Sequence, residues 1–393
     1  MISRNIGLYI HIPFCIRKCQ YCDFLSFPAG EEIMEQYINQ LLIEMKVRSV
    51  LWKDRVVDTI FLGGGTPSIL KEKQIEKIMQ GIFSCFQVEK DAEITMEMNP
   101  KTVTEEKLKV CRENGINRIS FGVQSFDVNY LKILGRIHGS RDFYENYDMA
   151  RKVGFSNINL DLMSGLPGQS VEEIKRELEK AIQLSPEHIS YYGLIIEEGT
   201  LFYEKYGEEE KRREEGEERK SDALPGEELE REMYLCISET LKGQGYVHYE
   251  ISNYGKPEYQ CRHNLKYWER KEYLGLGLGA ASLMENVRYG NLRELKEYLK
   301  RDFSLHADSM LMETEVLDEK ACMEEFMFLG LRKLQGISKT EFFKEFQKKY
   351  EDVYKEVHKA LLSKELIQEE GDYVRLSEKG IDVSNYVMAE YLL

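Results

Sequence analysis

The chain has 393 residues, 42% of them hydrophobic and 31% charged, an ordinary globular composition that is too long for one core. Its formal net charge of −15 counts against a phosphate-backbone binder, which needs a basic stripe, so no nucleic-acid partner is expected. No apolar run reaches the roughly 18 residues of a membrane span, and residues 1–7 lack the basic-then-apolar layout of a signal peptide, so a cytoplasmic protein is expected.

In chain order, residues 7–12 form a short apolar run and residues 33–51 carry apolar positions at helical spacing. Residues 56–62 are β-branched, apolar and end in glycines, which predicts a strand, and 71–86 predicts a helix. The alternation continues with strand 93–98, helix 104–114 with Thr104 as N-cap, strand 118–123, helix 141–153, strand 157–163, helix 170–184 and strand 188–195. Six strands joined by helical stretches read as βα units around a parallel sheet buried on both faces. They fit an incomplete (β/α)6 barrel of TIM type, with function in the loops after the strands' C-terminal ends.

Residues 208–232 break this pattern with 12 acidic and 6 basic residues, and read as part of a solvated, flexible insertion. Helical spacing returns over 233–242, and a dense aromatic and glycine-rich stretch runs to residue 282. Residues 338–347 and 351–363 predict two helices and 366–376 a hairpin, so a mainly helical, winged-helix-like module ends the chain. With 12 acidic against 9 basic residues from 338 to 393, that module reads as a structural cap and not a DNA reader. The expected organisation is a partial barrel (1–204), a charged insertion (205–232), a connecting region (233–304) and the C-terminal domain (305–393).

Of eight cysteines, three fall within Cys15-Ile-Arg-Lys-Cys19-Gln-Tyr-Cys22. Such a cluster in a cytosolic chain points to metal and not to disulfides. Three thiolates on one loop can each take a different iron of a cubane, and with no fourth cysteine in the loop one iron stays open. A zinc site completed from elsewhere, with His11 as a local candidate, is the competing reading. Leu62-Gly-Gly-Gly-Thr-Pro67 follows the next strand, and its glycines let backbone amides approach a carboxylate.

Together these motifs resemble the radical-SAM superfamily. Tyr9-Ile-His-Ile-Pro-Phe-Cys15 through Phe24 is similar to the group that holds oxygen-independent coproporphyrinogen oxidases (HemN) and the heme chaperones (HemW). Further matches are Glu97-Met-Asn-Pro100, Ser120-Phe-Gly-Val-Gln-Ser-Phe126, Leu134-Gly-Arg-Ile-His138, the run from Asn159 to Gln169, and Leu376-Ser-Glu-Lys-Gly380. The resemblance implies a 4Fe–4S cluster on Cys15, Cys19 and Cys22 whose open iron binds S-adenosylmethionine (SAM). It implies that Gly64, Gly65 and Thr66 meet the methionine end of SAM, and that Tyr9, Glu97, Gln124, Arg136 and Asp161 line its pocket. From the residues alone, the alternative for Arg136 is a buried ion-pair partner of Glu97 and Asp161. His11 reads as support for the cluster site.

Two departures separate the chain from the oxidases. Phe24 stands where they carry a further cysteine, and their N-terminal extension is missing. His263-Asn-Leu-Lys-Tyr267-Trp268 resembles the His-Asn-x-x-Tyr-Trp motif of the chaperones, which implies heme binding by His263, Tyr267 and Trp268. Read without the resemblance, the same segment is a polar turn packed beneath the barrel. Where the family commonly has Gly-Ala-His-Ser, this chain has Ala281 before Ser282. The resulting expectation is a heme chaperone that passes heme to an acceptor protein, with coproporphyrinogen III oxidase as the alternative. The acceptor's identity, dimerisation and transient membrane association are left open by the sequence.

Overall fold

The structure, a computed structural model, describes residues 5–207, 223–303 and 312–393. Strands β1 (Asn5–Ile12), β2 (Val56–Gly64), β3 (Gln87–Met98), β4 (Arg118–Gln124), β5 (Ile158–Ser164) and β6 (His188–Gly193) lie side by side in chain order, all parallel. Helices α1 (Glu31–Leu51), α2 (Glu72–Cys85), α3 (Glu105–Glu113), α4 (Val128–Ile133), α5 (Ser140–Val153) and α6 (Val171–Leu184) connect them. Local signals set their starts. The Thr104 side chain accepts the Lys107 N–H, and Ser170 with Glu173 forms a capping box. This is the incomplete (β/α)6 barrel expected from the sequence.

Side chains alternate along each strand, and this alternation builds the lumen. In β1, Ile6, Leu8, Ile10 and Ile12 are fully buried in the apolar core, while Gly7, Tyr9 and His11 occupy the other face. The same phase puts Thr59, Phe61 and Gly63 of β2, Glu93 and Glu97 of β3, Arg118 and Ser120 of β4, Asn159 and Asp161 of β5, and His188 of β6 inside the barrel. Each strand thus turns an apolar face to the core and a mixed face of polar, aromatic and glycine residues to the lumen.

The sheet continues past the six strands to twelve. Beyond β1 lie β9 (Tyr273–Leu276), parallel to it, then β10 (Ala281–Met284), β11 (Val287–Gly290) and β12 (Met312–Val316). Beyond β6 lie β8 (Asn253–Gly255) and β7 (Val247–Glu250). The sequence reading assigned no elements here, because strands of three to five residues rich in glycine carry too short a period. Most of the charged segment, 208–222, lies outside the described residues. Residues 227–232, which the sequence reading placed in that insertion, begin the helix Glu227–Gly243.

The C-terminal module has helices Glu319–Gly330, Lys339–Phe346 and Tyr350–Ser363, and a small sheet of β13 (Ile337–Ser338), β14 (Ile367–Glu370) and β15 (Tyr373–Leu376). It has its own core around Phe342, Tyr350, Tyr354 and Tyr391, separate from the barrel core. The expected two helices and hairpin are present. No helix among the described residues is long and apolar enough to cross a membrane.

Candidate functional site

The cysteine loop begins where β1 ends. Its base is closed by the Cys15 N–H donating to the Phe27 carbonyl at 3.1 Å and the Phe27 N–H to Pro13 at 2.9 Å. The glycine-rich turn after β2 is stitched to the same segment, with Gly65 N–H to Ile12 O and Thr66 N–H to Phe14 O, both 2.8 Å. The Thr66 hydroxyl lies 3.4 Å from Cys15 Sγ. The Arg136 guanidinium donates to Cys19 Sγ at 3.5 Å and to the Gly122 carbonyl at 2.5 Å. Arg17, from within the loop, donates to the Gly135 carbonyl at 2.5 Å. Arg136 therefore sits on the cysteine loop and not on Glu97 or Asp161. The charge that offsets those acids is Arg118.

All three loop cysteines are half-buried and free. Burial raises the thiol pKa of Cys15 and Cys22, so a metal must displace protons to bind. Among the described residues, no three His, Cys, Asp or Glu side chains converge tightly enough for a single ion. Three thiols spread around one loop suit a multi-iron cluster, one thiolate per iron, better than a lone zinc. His11 has both ring nitrogens engaged, Nδ1 with the Tyr9 hydroxyl at 3.0 Å and Nε2 with the Leu25 carbonyl at 2.9 Å. It buttresses the loop and offers no free lone pair to zinc.

Around this loop the barrel mouth gathers the other candidates. Glu97 Oε2 accepts the Gly64 N–H at 3.1 Å. A Cβ at Gly64, where φ is +110°, would fall 2.5 Å from the His11 ring, so only glycine fits. Burial, with the charge of Asp161, pushes Glu97 up to about 8. Asp161 accepts from Ser120 Oγ at 3.0 Å and Asn159 Nδ2 at 2.8 Å, and burial raises it too. The Tyr9 phenol is held protonated by burial and by Glu97. Gln124 ends β4 at φ +66°, a conformation uncommon for a non-glycine residue and concentrated at functional sites. Cys15, Cys19, Cys22, Tyr9, Gly64, Gly65, Thr66, Glu97, Gln124, Arg136 and Asp161 thus share one end of the barrel.

The His-Asn-x-x-Tyr-Trp segment lies at the other end. It forms the short helix Arg262–Trp268, whose first turns plug the lumen from below. His263 is 1% exposed. Its Nδ1 pairs with Thr59 Oγ1 and its Nε2 with the Tyr267 hydroxyl, both at 2.9 Å, and its ring stacks on Phe61. Glu93 Oε1 accepts its backbone N–H at 3.1 Å. Burial, with Lys266 and Arg118 nearby, lowers the imidazole pKa to about 3, so it stays neutral. Neither nitrogen is free for iron, and ligation through His263 requires breaking one of these bonds. Tyr267 is committed to His263, and Trp268 borders a cavity. Cys261 is likewise buried on the floor, 3.6 Å from Glu93. Ala281 opens β10 with its side chain exposed.

This placement predicts that His263→Ala lowers unfolding free energy by about 3 kcal/mol, from one lost buried side chain and two orphaned hydroxyl partners. Urea melts measure it; an unchanged midpoint would contradict a floor role. The sign with pH follows. The folded imidazole resists protonation down to about 3, while an unfolded one protonates near 6.5. The His263 contribution is therefore complete above about pH 6.5 and is lost as pH falls from there towards 3.

The sequence reading missed the lower lumen layer of Thr59, Glu93, Arg118, Asn159 and His188. Arg118 is 2% exposed, and His188 bridges Asn159 (2.5 Å) and Tyr249 (2.7 Å). Their signal was present as polar residues at period two inside otherwise apolar strands.

An incomplete parallel (β/α)6 barrel whose first loop carries Cys-x3-Cys-x2-Cys, joined to a glycine-rich second loop, is a radical SAM protein. The Radical SAM superfamily model matches residues 9–181, and the HemN C-terminal domain model matches 317–383. The chain is 35% identical to heme chaperone HemW of Lactococcus lactis subsp. lactis (strain IL1403), covering 100% of this chain and 99% of that protein. It is 36% identical to heme chaperone HemW of Bacillus subtilis (strain 168) over 98% of each. The chain belongs to the HemW family. Its fold also matches coproporphyrinogen III oxidase (HemN) from Escherichia coli with a TM-score of 0.84, covering 99% of this chain and 90% of that one at 22% identity, which shows a shared fold. Radical SAM membership implies a 4Fe–4S cluster and SAM as cofactors.

Proposed function

We propose that this protein is a heme chaperone on a radical SAM scaffold, binding heme and passing it to an acceptor protein. Cys15, Cys19 and Cys22 hold the cluster, and Arg136 positions the loop through Cys19. Gly64, Gly65 and Thr66 meet the methionine end of SAM, while Tyr9, Glu97, Gln124 and Asp161 line the rest of the mouth. Cluster and SAM, when bound, supply reductive carbon–sulfur cleavage. The residues here bind, orient and exclude water, and Glu97 holds a proton that a cationic ligand displaces. Eight free cysteines suit a reducing cytoplasm.

The observation that carries the choice of chaperone over oxidase is Phe24. It stands 66% exposed beside the cysteine loop, where the oxidases present a further cysteine. The names of the full-length relatives support the same choice. Anaerobically reconstituted protein is expected to bind hemin stoichiometrically, to release it to an apo-hemoprotein, and to leave coproporphyrinogen III unchanged in the presence of SAM and reductant. Turnover of the porphyrinogen with no saturable hemin site would make the protein an oxidase.

A further inference from the structure

We propose that the short helix under the barrel swings out at its N-terminal end to free His263, and that Glu93 then exchanges the helix for Arg118. The proposal rests on heme being the cargo and on His263 meeting its iron. It adds how a sealed imidazole becomes available.

The observation behind it is a buried charge without a partner. Arg118 is fully buried in the lumen. Its one hydrogen bond among the described residues goes to the Thr95 hydroxyl at 3.5 Å, and its Nε–H has no acceptor. No salt bridge reaches it among the described residues. A buried cation in that state is costly to the fold, and a carboxylate in contact removes the cost.

Such a carboxylate stands one lumen position away. Thr95 of β3 sits opposite Arg118 of β4, and Glu93 precedes Thr95 by two residues on the same face. Diagonal neighbours on one face of a sheet lie within reach of a long side chain. Glu93 is occupied instead by the helix below. Its oxygens accept the Arg262 and His263 N–H groups, both at 3.1 Å, and the Cys261 thiol at 3.6 Å. Glu93 thus stands between two sets of donors, and the closed floor leaves Arg118 unserved.

The two ends of the helix are held differently. On the C-terminal side Arg270 clamps the chain to the C-terminal module, donating to Glu325 at 3.0 Å and Glu345 at 2.9 Å. Residues 256–260, which lead into the other end, are half-exposed or exposed. The helix therefore pivots at Arg270 and opens at Cys261. The Thr59 bond to His263 at 2.9 Å and the Lys266–Asp58 pair at 2.8 Å favour the closed floor. The Glu93–Arg118 pair that forms on opening offsets part of their loss.

The test is hydrogen–deuterium exchange of the full, cluster-loaded chain without hemin, read at residues 261–266, beside an anaerobic hemin titration. Arg118→Met removes the charge that favours opening, so exchange there should slow about tenfold while α2 exchanges as before. Hemin affinity should weaken by about the same factor, because only the open fraction binds. Arg118→Lys still pairs with Glu93 and should exchange close to wild type. In a Glu93→Gln background no pair can form, and adding Arg118→Met should change nothing. Should Arg118→Met not fold, Arg118→Gln takes its place in the cycle. A merely structural Arg118 predicts the opposite sign, with faster exchange in Arg118→Met. That result would overturn the proposal. So would an unchanged rate, equal slowing in both backgrounds, or slowed exchange with unchanged hemin affinity. Absence of saturable hemin binding in the wild type would overturn the chaperone reading instead, with the exchange cycle still deciding the floor.

Discussion

Gly65→Ala is expected to strip the protein of most of its cluster iron. A Cβ at Gly65 would lie 2.7 Å from the Phe14 carbonyl and 2.9 Å from the Ile12 carbonyl. Both are backbone oxygens of the segment that launches the cysteine loop, and neither can yield without moving that loop. The Gly65 and Thr66 amides donate to these same two oxygens, so the clash also breaks both hydrogen bonds that register the glycine-rich turn on the cysteine loop. Iron and sulfide per chain after reconstitution read the effect. Gly30→Ala, where a Cβ meets nothing within 4 Å, is the control that should keep full occupancy. Full iron and unchanged SAM affinity in Gly65→Ala would show that the two loops are not coupled.

Glu97→Gln is expected to trade function for stability. The folded carboxyl is pushed up to about 8, against an ordinary value near 4.3 in an unfolded chain. The folded state therefore holds an extra proton between these values. The group's contribution is present below about pH 4.3 and is lost as pH rises through 8. Glutamine removes that loss, so at pH 9 the variant should be more stable by on the order of a few kcal/mol. SAM brings a sulfonium and an ammonium, which favour the carboxylate. Wild-type binding at pH 7 should then release a proton, seen as a buffer-dependent enthalpy in calorimetry. The variant should show no such release and roughly ten- to hundredfold weaker SAM binding. Equal proton release in both would move the titrating group elsewhere.

The partial barrel was legible because each strand is a short apolar run closed by a turn and followed by a helix. Thr104 and Ser170 mark two helix starts in the sequence and cap them in the fold. The mouth was legible because its residues end strands or open the loops after them, where resemblance and position agree. The floor was not. His263 looks like an available ligand in a linear motif, and only the closing of residues 262–268 under the barrel brings Thr59, from two hundred residues earlier, onto its Nδ1. The alternative reading of Arg136 as an ion-pair partner of Glu97 and Asp161 failed for the same reason. Its two acidic candidates lie on neighbouring strands, but the helix–loop after β4 carries its side chain outward onto Cys19 while Arg118 takes the lumen. Long-range pairings of this kind leave no period in a sequence.

The measurement that tests the central claim most directly is electron paramagnetic resonance of the reduced, reconstituted protein before and after SAM is added, with metal analysis on the same sample. The account predicts four irons per chain and a cluster signal that shifts on SAM addition, because one iron lacks a protein thiolate. Zinc in place of iron, or a cluster signal indifferent to SAM, would contradict it.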